Sequence, residues 1–544
     1  MELNSDTLLF LTTIISAAIL VVCSLSRRKP SPGPKKKRPP GPWRLPLIGN
    51  LLHLATSQPH VALRDLARKH GPVMYLRLGQ IDAVVISSPA AAQEVLRDKD
   101  VAFASRPNLL VADIILYGSM DMSFAPYGAY WRMLRKLCMS ELLSTHKVRQ
   151  LLAVRDSETI SLVRKVRAAG GQSGEPVNLG RLVLSCSMAI TGRATFGQLC
   201  GDELMSVVDV AVLYGGGFCA GDLFPSLSFV DVVTGLTRRL WRARRHLDGI
   251  FDKIIAECEA RQRQAKTTTG TTNGDGDGLL SVLLRIRDEG ETGISMTSIK
   301  AILFVSAVKY IYGAAESCLS SSKSQFLLID HQDMLAGGTE TTSSAAEWIM
   351  SELMRNPEAM AKAQAEVRRV LDGKSPQDHE GQMDKLSYTR MVVKEGLRLH
   401  PVFPLLLPRL CRETCDVGGF EVAQGTKVIV NAWALARSPE HWKHPEEFWP
   451  ERFADDTSVA AAADYVGSQF EYIPFGSGRR MCPGNTFGLA ALELMVARLL
   501  YYFDWSLPDG MRPDELDMDT VVGSTMRRRN HLHLVASPCK EIES

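Results

Sequence analysis

The sequence lacks several features that would place it in other protein classes. Its net charge is only +3 over 544 residues, which is too small to argue for a nucleic-acid partner. The eleven cysteines are an odd number and include no Cys-x-x-Cys pair, so a reducing compartment is favoured over a disulfide framework. Cys411 and Cys415 have no second Cys or His pair of ligand spacing, and we interpret them as structural. No break in composition after residue 43 marks a second domain.

Apart from one stretch, long apolar runs are also missing. Residues 7–25 form that stretch, and Arg27-Arg28-Lys29 follow it at once. At about 1.5 Å per residue it nearly spans a hydrocarbon core of about 30 Å, and the basic residues after it predict a cytosolic position for the rest of the chain. A cleaved secretory signal is the alternative, but the basic residues follow the apolar run instead of preceding it. We predict a single-pass membrane anchor with its basic flank over 1–29, a stiff Pro-rich hinge over 30–42 and one folded domain over 43–544.

A glycine-rich segment near the C-terminus carries the strongest chemical signal. From Phe475 to Gly484 the spacing is Phe-x-x-Gly-x-Arg-x-Cys-x-Gly, which is typical of a haem-thiolate loop. Cys482 would supply the thiolate that binds the iron, and Gly478 and Gly484 would let the backbone turn beside a flat cofactor. Arg480 would pair with a haem propionate. The alternative is a free structural cysteine in a Gly-rich turn.

Other side chains are also candidates for hydrogen bonding or ion pairing with the haem propionates. Trp131 and Arg135 are four residues apart on one face of a predicted helix and would present an indole N–H and a guanidinium to one carboxylate. A structural tryptophan packed on an arginine stem is the alternative. Arg409 follows a rigid Pro-rich run that would pass the haem edge, and His400 is a weaker candidate.

The segment from Ala336 to Thr342 has the composition of a helix that opens locally. Two glycines followed by an acid and alcohols are poor choices for a plain helix interior. They suit a place where a helix leaves room for dioxygen and water. Glu340 and Thr341 are therefore predicted to relay protons in oxygen activation, against the alternative of a Ser/Thr kink without chemistry.

Upstream of this segment the helical pattern is broken by residues 305–332. Removing them joins two helical patterns into one helix of about 31 residues, roughly 46 Å long. Val305-Ser306 and Gln332 can be encoded by codons that contain splice-donor and splice-acceptor sequences. Our hypothesis is that 305–332 is a retained intron or a gene-model error, and a genuine surface insertion is the alternative.

A Glu-x-x-Arg pair, Glu395 and Arg398, lies within ion-pair reach on one helix face. Arg452, further along, would complete a buried network of three charges. We predict that this network fixes the scaffold of the cysteine loop and takes no part in the chemistry.

Together these motifs resemble the cytochrome P450 family, in particular its endoplasmic-reticulum-anchored plant A-type group. The resemblance runs from the hinge to the C-terminus and is interrupted only by 305–332. It implies a mainly α fold with a small β region, a haem b cofactor bound by Cys482, and monooxygenase activity with electrons from NADPH through cytochrome P450 reductase. It implies the following site residues: Phe475, Gly478, Trp131, Arg135, Arg409 and Arg480 at the haem, Glu340 and Thr341 as the acid–alcohol pair, and Glu395, Arg398 and Arg452 as the scaffold triad.

More narrowly, the segments at 60–80, 87–100 and 124–138 resemble a grass subfamily that includes rice pimaradiene oxidases. That resemblance makes a labdane-related diterpene a candidate for the small hydrophobic substrate. The pocket segments that the family implies are 111–117, 335–338, 402–406 and 522–525, and they are predominantly apolar.

Overall fold

The computed structural model describes residues 37–141, 143–170, 174–197, 219–269, 278–290, 293–307, 340–454, 463–522 and 525–542. Helices dominate and strands form small sheets, which confirms the predicted fold class. Across these ranges no helix is long and apolar enough to cross a membrane. The anchor predicted over residues 7–25 lies outside them, as does most of the hinge.

Eleven helices in the described ranges have eleven or more residues. They are α1 Pro59–His70, α2 Ala129–Glu141, α3 Leu152–Gly170, α4 Leu179–Phe196, α5 Leu236–Thr269, α6 Leu279–Glu289, α7 Met296–Ala307, α8 Glu340–Arg355, α9 Pro357–Leu371, α10 Ser387–Leu399 and α11 Asn485–Tyr502. Shorter helices occupy Leu51–Leu54, Pro89–Gln93, Leu110–Ile115, Thr145–Gln150, Ala220–Leu223, Phe229–Val233 and Ala432–Leu435.

The strands form four small sheets. They are β1 Val73–Leu78, β2 Ile81–Ile86, β3 Val177–Asn178, β4 Arg409–Leu410, β5 Cys415–Val417, β6 Phe420–Val422, β7 Lys427–Val430, β8 Phe503–Ser506, β9 Thr520–Val522, β10 Met526–Arg528 and β11 His533–Pro538. The largest sheet has the order β1-β2-β7-β4, with β1 and β2 antiparallel and β2 and β7 parallel. The others are β3-β11-β8, β10-β9 and β5-β6.

Apolar stripes at helical spacing bury the long helices. In α5, Leu240, Ala243, Leu247, Phe251 and Ile254 recur every three or four residues and are each at most 8% exposed, so one face of this helix points into the core. This face packs with the Leu110–Ile115 helix, α6 and α7 in one large cluster, and α3, α4, α8, α9 and α11 form a second.

The hypothetical insertion at 305–332 lies outside the described residues except for its first three. Helix α7 continues through those three to Ala307, and α8 begins at Glu340.

Candidate active site

The loop that carries Cys482 is closed by its own backbone and by neighbouring elements. The Cys482 N–H donates to the carbonyl oxygen of Phe475 at 2.9 Å. Gly478 has φ +69°, and a Cβ there would lie 1.9 Å from the Leu96 carbonyl oxygen, so only glycine fits. The Asp100 carboxylate accepts a hydrogen bond from the Arg479 backbone N–H at 2.9 Å. This contact ties the Cys482 loop to the segment around Asp100.

Gly484 differs from the prediction. Its φ is −93°, which any residue adopts, and the nearest atom to a Cβ would be the Cys482 sulfur at 4.0 Å. A turn does not require this glycine, although it keeps the space beside the sulfur open. Helix α11 begins immediately after it, so Cys482 lies at the N-terminus of an 18-residue helix. The partial positive charge there favours a thiolate over a thiol.

A large cavity adjoins the Cys482 loop. Its volume is about 1700 Å³, above the usual 300–1000 Å³ of small-molecule sites. The predicted residues that line it are Trp131, Arg135, Thr341, Arg409, Phe475, Arg480 and Cys482. The structure therefore brings together most of the predicted site, from segments that are about 350 residues apart in the chain.

Arg480 is held firmly at the cavity wall. Its guanidinium donates to the carbonyl oxygens of Ala104 (2.6 Å), Met122 (3.2 Å) and Ala125, and it stacks over the Trp131 ring at 4.4 Å. The Trp131 indole N–H also donates to the Met122 carbonyl oxygen, at 3.0 Å. The indole N–H predicted for a propionate therefore donates to the backbone in this structure, and the ring packs against Arg480.

The other two predicted arginines have similar backbone partners. Arg135 Nη1 donates to the Met481 carbonyl oxygen at 2.8 Å, one residue before the cysteine. Arg409 Nη2 donates to the Ser477 carbonyl oxygen at 2.8 Å, and its Nη1 forms an ion pair with Asp100 at 3.0 Å. Both side chains are therefore anchored to the Cys482 loop itself.

Sequence reasoning missed two buried charges at this wall. Arg106 lines the cavity and donates to the carbonyl oxygens of Ser123, Leu407 and Pro408 at 2.6–3.0 Å. Asp121 is fully buried, and one of its carboxylate oxygens has no hydrogen-bond partner within the described ranges. A lone arginine before Pro107 and a lone aspartate have no informative spacing, so no signal in the sequence distinguished them.

The electrostatics of this wall suit an anionic ligand. Burial, followed by the nearby charge of Arg409, lowers the pKa of Arg480 to about 9, and burial with the charges of Arg480 and Arg409 lowers the pKa of Arg106 well below its usual value. Burial also raises the pKa of Asp121 to about 6. Crowded buried cations are costly unless an opposite charge joins them. The two propionates of haem, placed beside a cysteine thiolate, would meet that requirement, so these residues fit the group.

His400, the weaker candidate for a propionate partner, lies away from the cavity. Its Nε2 lies 2.7 Å from Glu352 Oε1, and its ring stacks on Trp348 with centroids 4.1 Å apart. It is not part of the cavity wall. The turn that ends α10 directs the ring towards α8, so the expectation that His400 reaches a propionate was wrong.

The two members of the predicted acid–alcohol pair, Glu340 and Thr341, lie on different sides of α8. Thr341 and Thr342 line the cavity. The Glu340 carboxylate does not, and it is instead buried against Thr525 and Arg527. Burial raises the pKa of Glu340, and Arg527 and Thr525 oppose that rise.

The scaffold triad is assembled and buried. Glu395 accepts from Arg398 at 2.7 and 2.9 Å and from Arg452 Nε at 3.0 Å, and all three residues are at most 5% exposed. The two arginines also donate to backbone carbonyls between Ala436 and Glu447. The network joins α10 to the segment that leads to the Cys482 loop.

The predicted pocket segments contribute unequally to the cavity. From 111–117 only Leu116 lines it, and from 402–406 Val402, Phe403 and Leu406 do. Residues 335–338 lie outside the described ranges, as do 523 and 524. Thr525 is buried against Glu340 instead.

The family model described as cytochrome P450 matches residues 39–308 and 314–535, which is most of the chain. The chain belongs to the cytochrome P450 family. The resemblance inferred from the motifs is therefore confirmed, and so is the class of enzyme: a monooxygenase, an oxidoreductase that uses haem iron and electrons from an NADPH-dependent reductase.

Known plant relatives match this P450 over nearly its whole length. It is 80% identical to cytochrome P450 CYP99A1 of Sorghum bicolor, covering 97% of this chain and 99% of the relative. It is 57% identical to the 9-beta-pimara-7,15-diene oxidase of Oryza sativa subsp. japonica, covering 100% and 99%. A zebrafish cytochrome P450 solved with progesterone has a TM-score of 0.68 at 23% identity, covering 88% of this chain and 99% of that one, which shows the shared fold.

Proposed function

We propose that this P450 oxidises a hydrophobic diterpene of the labdane-related class. The observation that carries the site assignment is the set of four buried or half-buried arginines that line one cavity with a cysteine at a helix N-terminus, since that charge pattern fits a dianionic cofactor with a thiolate ligand. The similarity to a pimaradiene oxidase supports the substrate class.

At the cofactor site, Cys482 would hold the haem iron through its thiolate. Arg106, Arg135, Arg409 and Arg480 are the proposed partners of the propionates, with the Trp131 ring packed under Arg480. Bound haem supplies the activation of dioxygen, with electrons that come from NADPH through the reductase. The protein positions the cofactor and neutralises its carboxylates.

Thr341 lines the same cavity as Cys482, and Glu340, its neighbour in the chain, is the proposed proton donor. A buried acid with a raised pKa holds its proton better at neutral pH than an exposed one does. The apolar side chains of Leu116, Val402 and Phe403 would contact the hydrocarbon.

We also propose that the chain is held at the endoplasmic reticulum membrane by residues 1–29, with the domain in the cytosol. This rests on the apolar run at 7–25 and the basic residues that follow it. Expression of the domain from residue 30 onward tests it, because the protein should then move from the membrane pellet to the soluble fraction.

A reduced carbon-monoxide difference spectrum of the full chain tests the haem site. Wild type should give the thiolate band, Cys482→Ser should lose it, and Cys539→Ser, at an exposed cysteine, should keep it. A thiolate band that survives in Cys482→Ser would refute the ligand assignment. Incubation with 9-beta-pimara-7,15-diene and NADPH then tests the substrate, because an oxygenated diene is expected and its absence across a panel of labdane-related dienes would refute the class.

The hypothesis that residues 305–332 are a retained intron stays a proposal. The family model matches residues 305–308 and 314–332 of this segment and leaves out only 309–313. A non-catalytic product is the alternative function that the segment suggests, and the full-length relatives named as oxidases do not favour it. Sequencing the transcript across codons 304–333 should detect a form without 305–332, and failure to find that form in any tissue would refute the hypothesis.

A further inference from the structure

Strand β10 lies along one side of helix α8 in a fixed register. Ser344 Oγ and Trp348 Nε1 each donate to the Met526 carbonyl oxygen at 3.0 Å, and Arg528 Nη1 donates to Ser351 Oγ at 3.0 Å. Helix positions three and four residues apart share a face, so these contacts define one strand-facing side of α8.

Glu340 begins this same face. It lies four residues before Ser344, and Arg527 Nε lies 2.8 Å from its Oε1, which also accepts from Thr525 Oγ1 at 3.1 Å. The carboxylate is 5% exposed, and its second oxygen has no hydrogen-bond partner within the described ranges. Thr341, about 100° further round the helix, faces the cavity.

We propose that Arg527 is a positioning residue for proton delivery in this P450. It holds the Glu340 carboxyl group on the strand side of α8, and proton transfer from protonated Glu340 towards Thr341 and the cavity requires that this contact open. The inference rests on the proposed role of Glu340 and adds what controls it.

Among the charges around Glu340, that of Arg527 has the main influence on whether Glu340 keeps its proton. Burial in the core disfavours the carboxylate form, and Arg527 is the charged group that acts on it from the elements packed there in the described structure. An opposite charge at this distance lowers the pKa of a carboxyl group by about one to three units. Removing the charge while keeping the buried site should therefore raise the pH at which Glu340 loses its proton.

Infrared titration of the full-length holoenzyme tests the ion pair without a substrate. The band of the protonated Glu340 carboxyl is identified as the one lost in Glu340→Gln. We expect its midpoint in Arg527→Gln to lie about one to three pH units above wild type. Arg527→Lys, which keeps the charge, should titrate like wild type. Arg529→Gln is the matched control, because Arg529 pairs with Asp519 at the surface of the same region.

Equal midpoints in Arg527→Gln and wild type would overturn the proposal. If Arg527→Gln fails to give the reduced carbon-monoxide band, Arg527→Met, which also removes the charge, replaces it in the same titration, with an upward shift expected and an unchanged midpoint as the refutation.

The pH profile of NADPH oxidation with added reductase tests the role of Arg527 and the role of Glu340 separately. In wild type the rate of NADPH oxidation should fall as the pH rises and Glu340 loses its proton. In Arg527→Gln the fall should occur at higher pH, and in Glu340→Gln it should be absent. A wild-type profile in Glu340→Gln would refute the relay itself. If Glu340→Gln loses the fall in rate as expected but the profile of Arg527→Gln matches wild type, only the role assigned to Arg527 would be refuted.

Discussion

Glu395→Ala should strongly destabilise the fold. The Glu395 side chain is fully buried and accepts four hydrogen bonds: two from Arg398, one from Arg452 and one from the Trp449 N–H at 2.8 Å. Its removal leaves two buried guanidinium groups without their counter-charge. Breaking a buried ion pair from one side costs about 3–5 kcal/mol, so we expect the free energy of unfolding to fall by that amount.

The assay is urea unfolding of the holoenzyme, followed by circular dichroism and by loss of the reduced carbon-monoxide band. Asp65→Ala is the matched control, because Asp65 pairs with Arg68 at the same i, i+3 spacing but with 50% and 60% of the side chains exposed. Exposed pairs contribute about 0–1 kcal/mol. A Glu395→Ala variant within 1 kcal/mol of wild type would refute the argument that the triad supports the fold.

Three further predictions concern single contacts. Gly478→Ala should lose the reduced carbon-monoxide band, because the added Cβ meets a carbonyl oxygen at 1.9 Å, whereas Gly249→Ala in α5, where nothing lies within 4 Å of an added Cβ, should keep it; equal spectra would contradict the steric reasoning. Burial lowers the pKa of His379 from 6.5 to about 4, so wild type should lose up to about 3 kcal/mol of stability as the pH falls from 6.5 to 4, and His379→Leu should lose less in the same urea titrations. Tyr117→Phe, which removes a 2.8 Å hydrogen bond to Asp248, should lower the free energy of unfolding by about 1 kcal/mol, and no change would count against that contact.

The sequence predicted those features whose chemistry depends on local spacing. The strands at 73–78 and near 83–86, the Glu395–Arg398 pair and the Cys482 loop are all defined by residues close together in the chain. Arg452 was also placed with that pair, and the structure puts it 3.0 Å from Glu395.

The features that sequence reasoning missed depend on contacts between distant segments. Arg106 meets the carbonyl oxygens of residues 407 and 408, about 300 positions away, and Arg527 reaches Glu340 across 187 positions. Such pairings arise from the packing of loops and strands onto helices, and no spacing in the chain records them. The same reason explains His400, whose partner Trp348 lies on a different helix.

The backbone contacts of the arginines explain how several cations line one cavity before any anion joins them. A guanidinium has five N–H donors, and Arg480 uses three of them on carbonyl oxygens. Those carbonyl dipoles offset part of the cost of burying the charge and fix the side chain in one orientation, while two donors remain for a carboxylate. Because little ordering is left to be done on binding, more of the interaction energy goes into holding the cofactor. A lysine has a single ammonium and could not span the three carbonyls and a propionate together, so the site depends on arginine and not merely on positive charge.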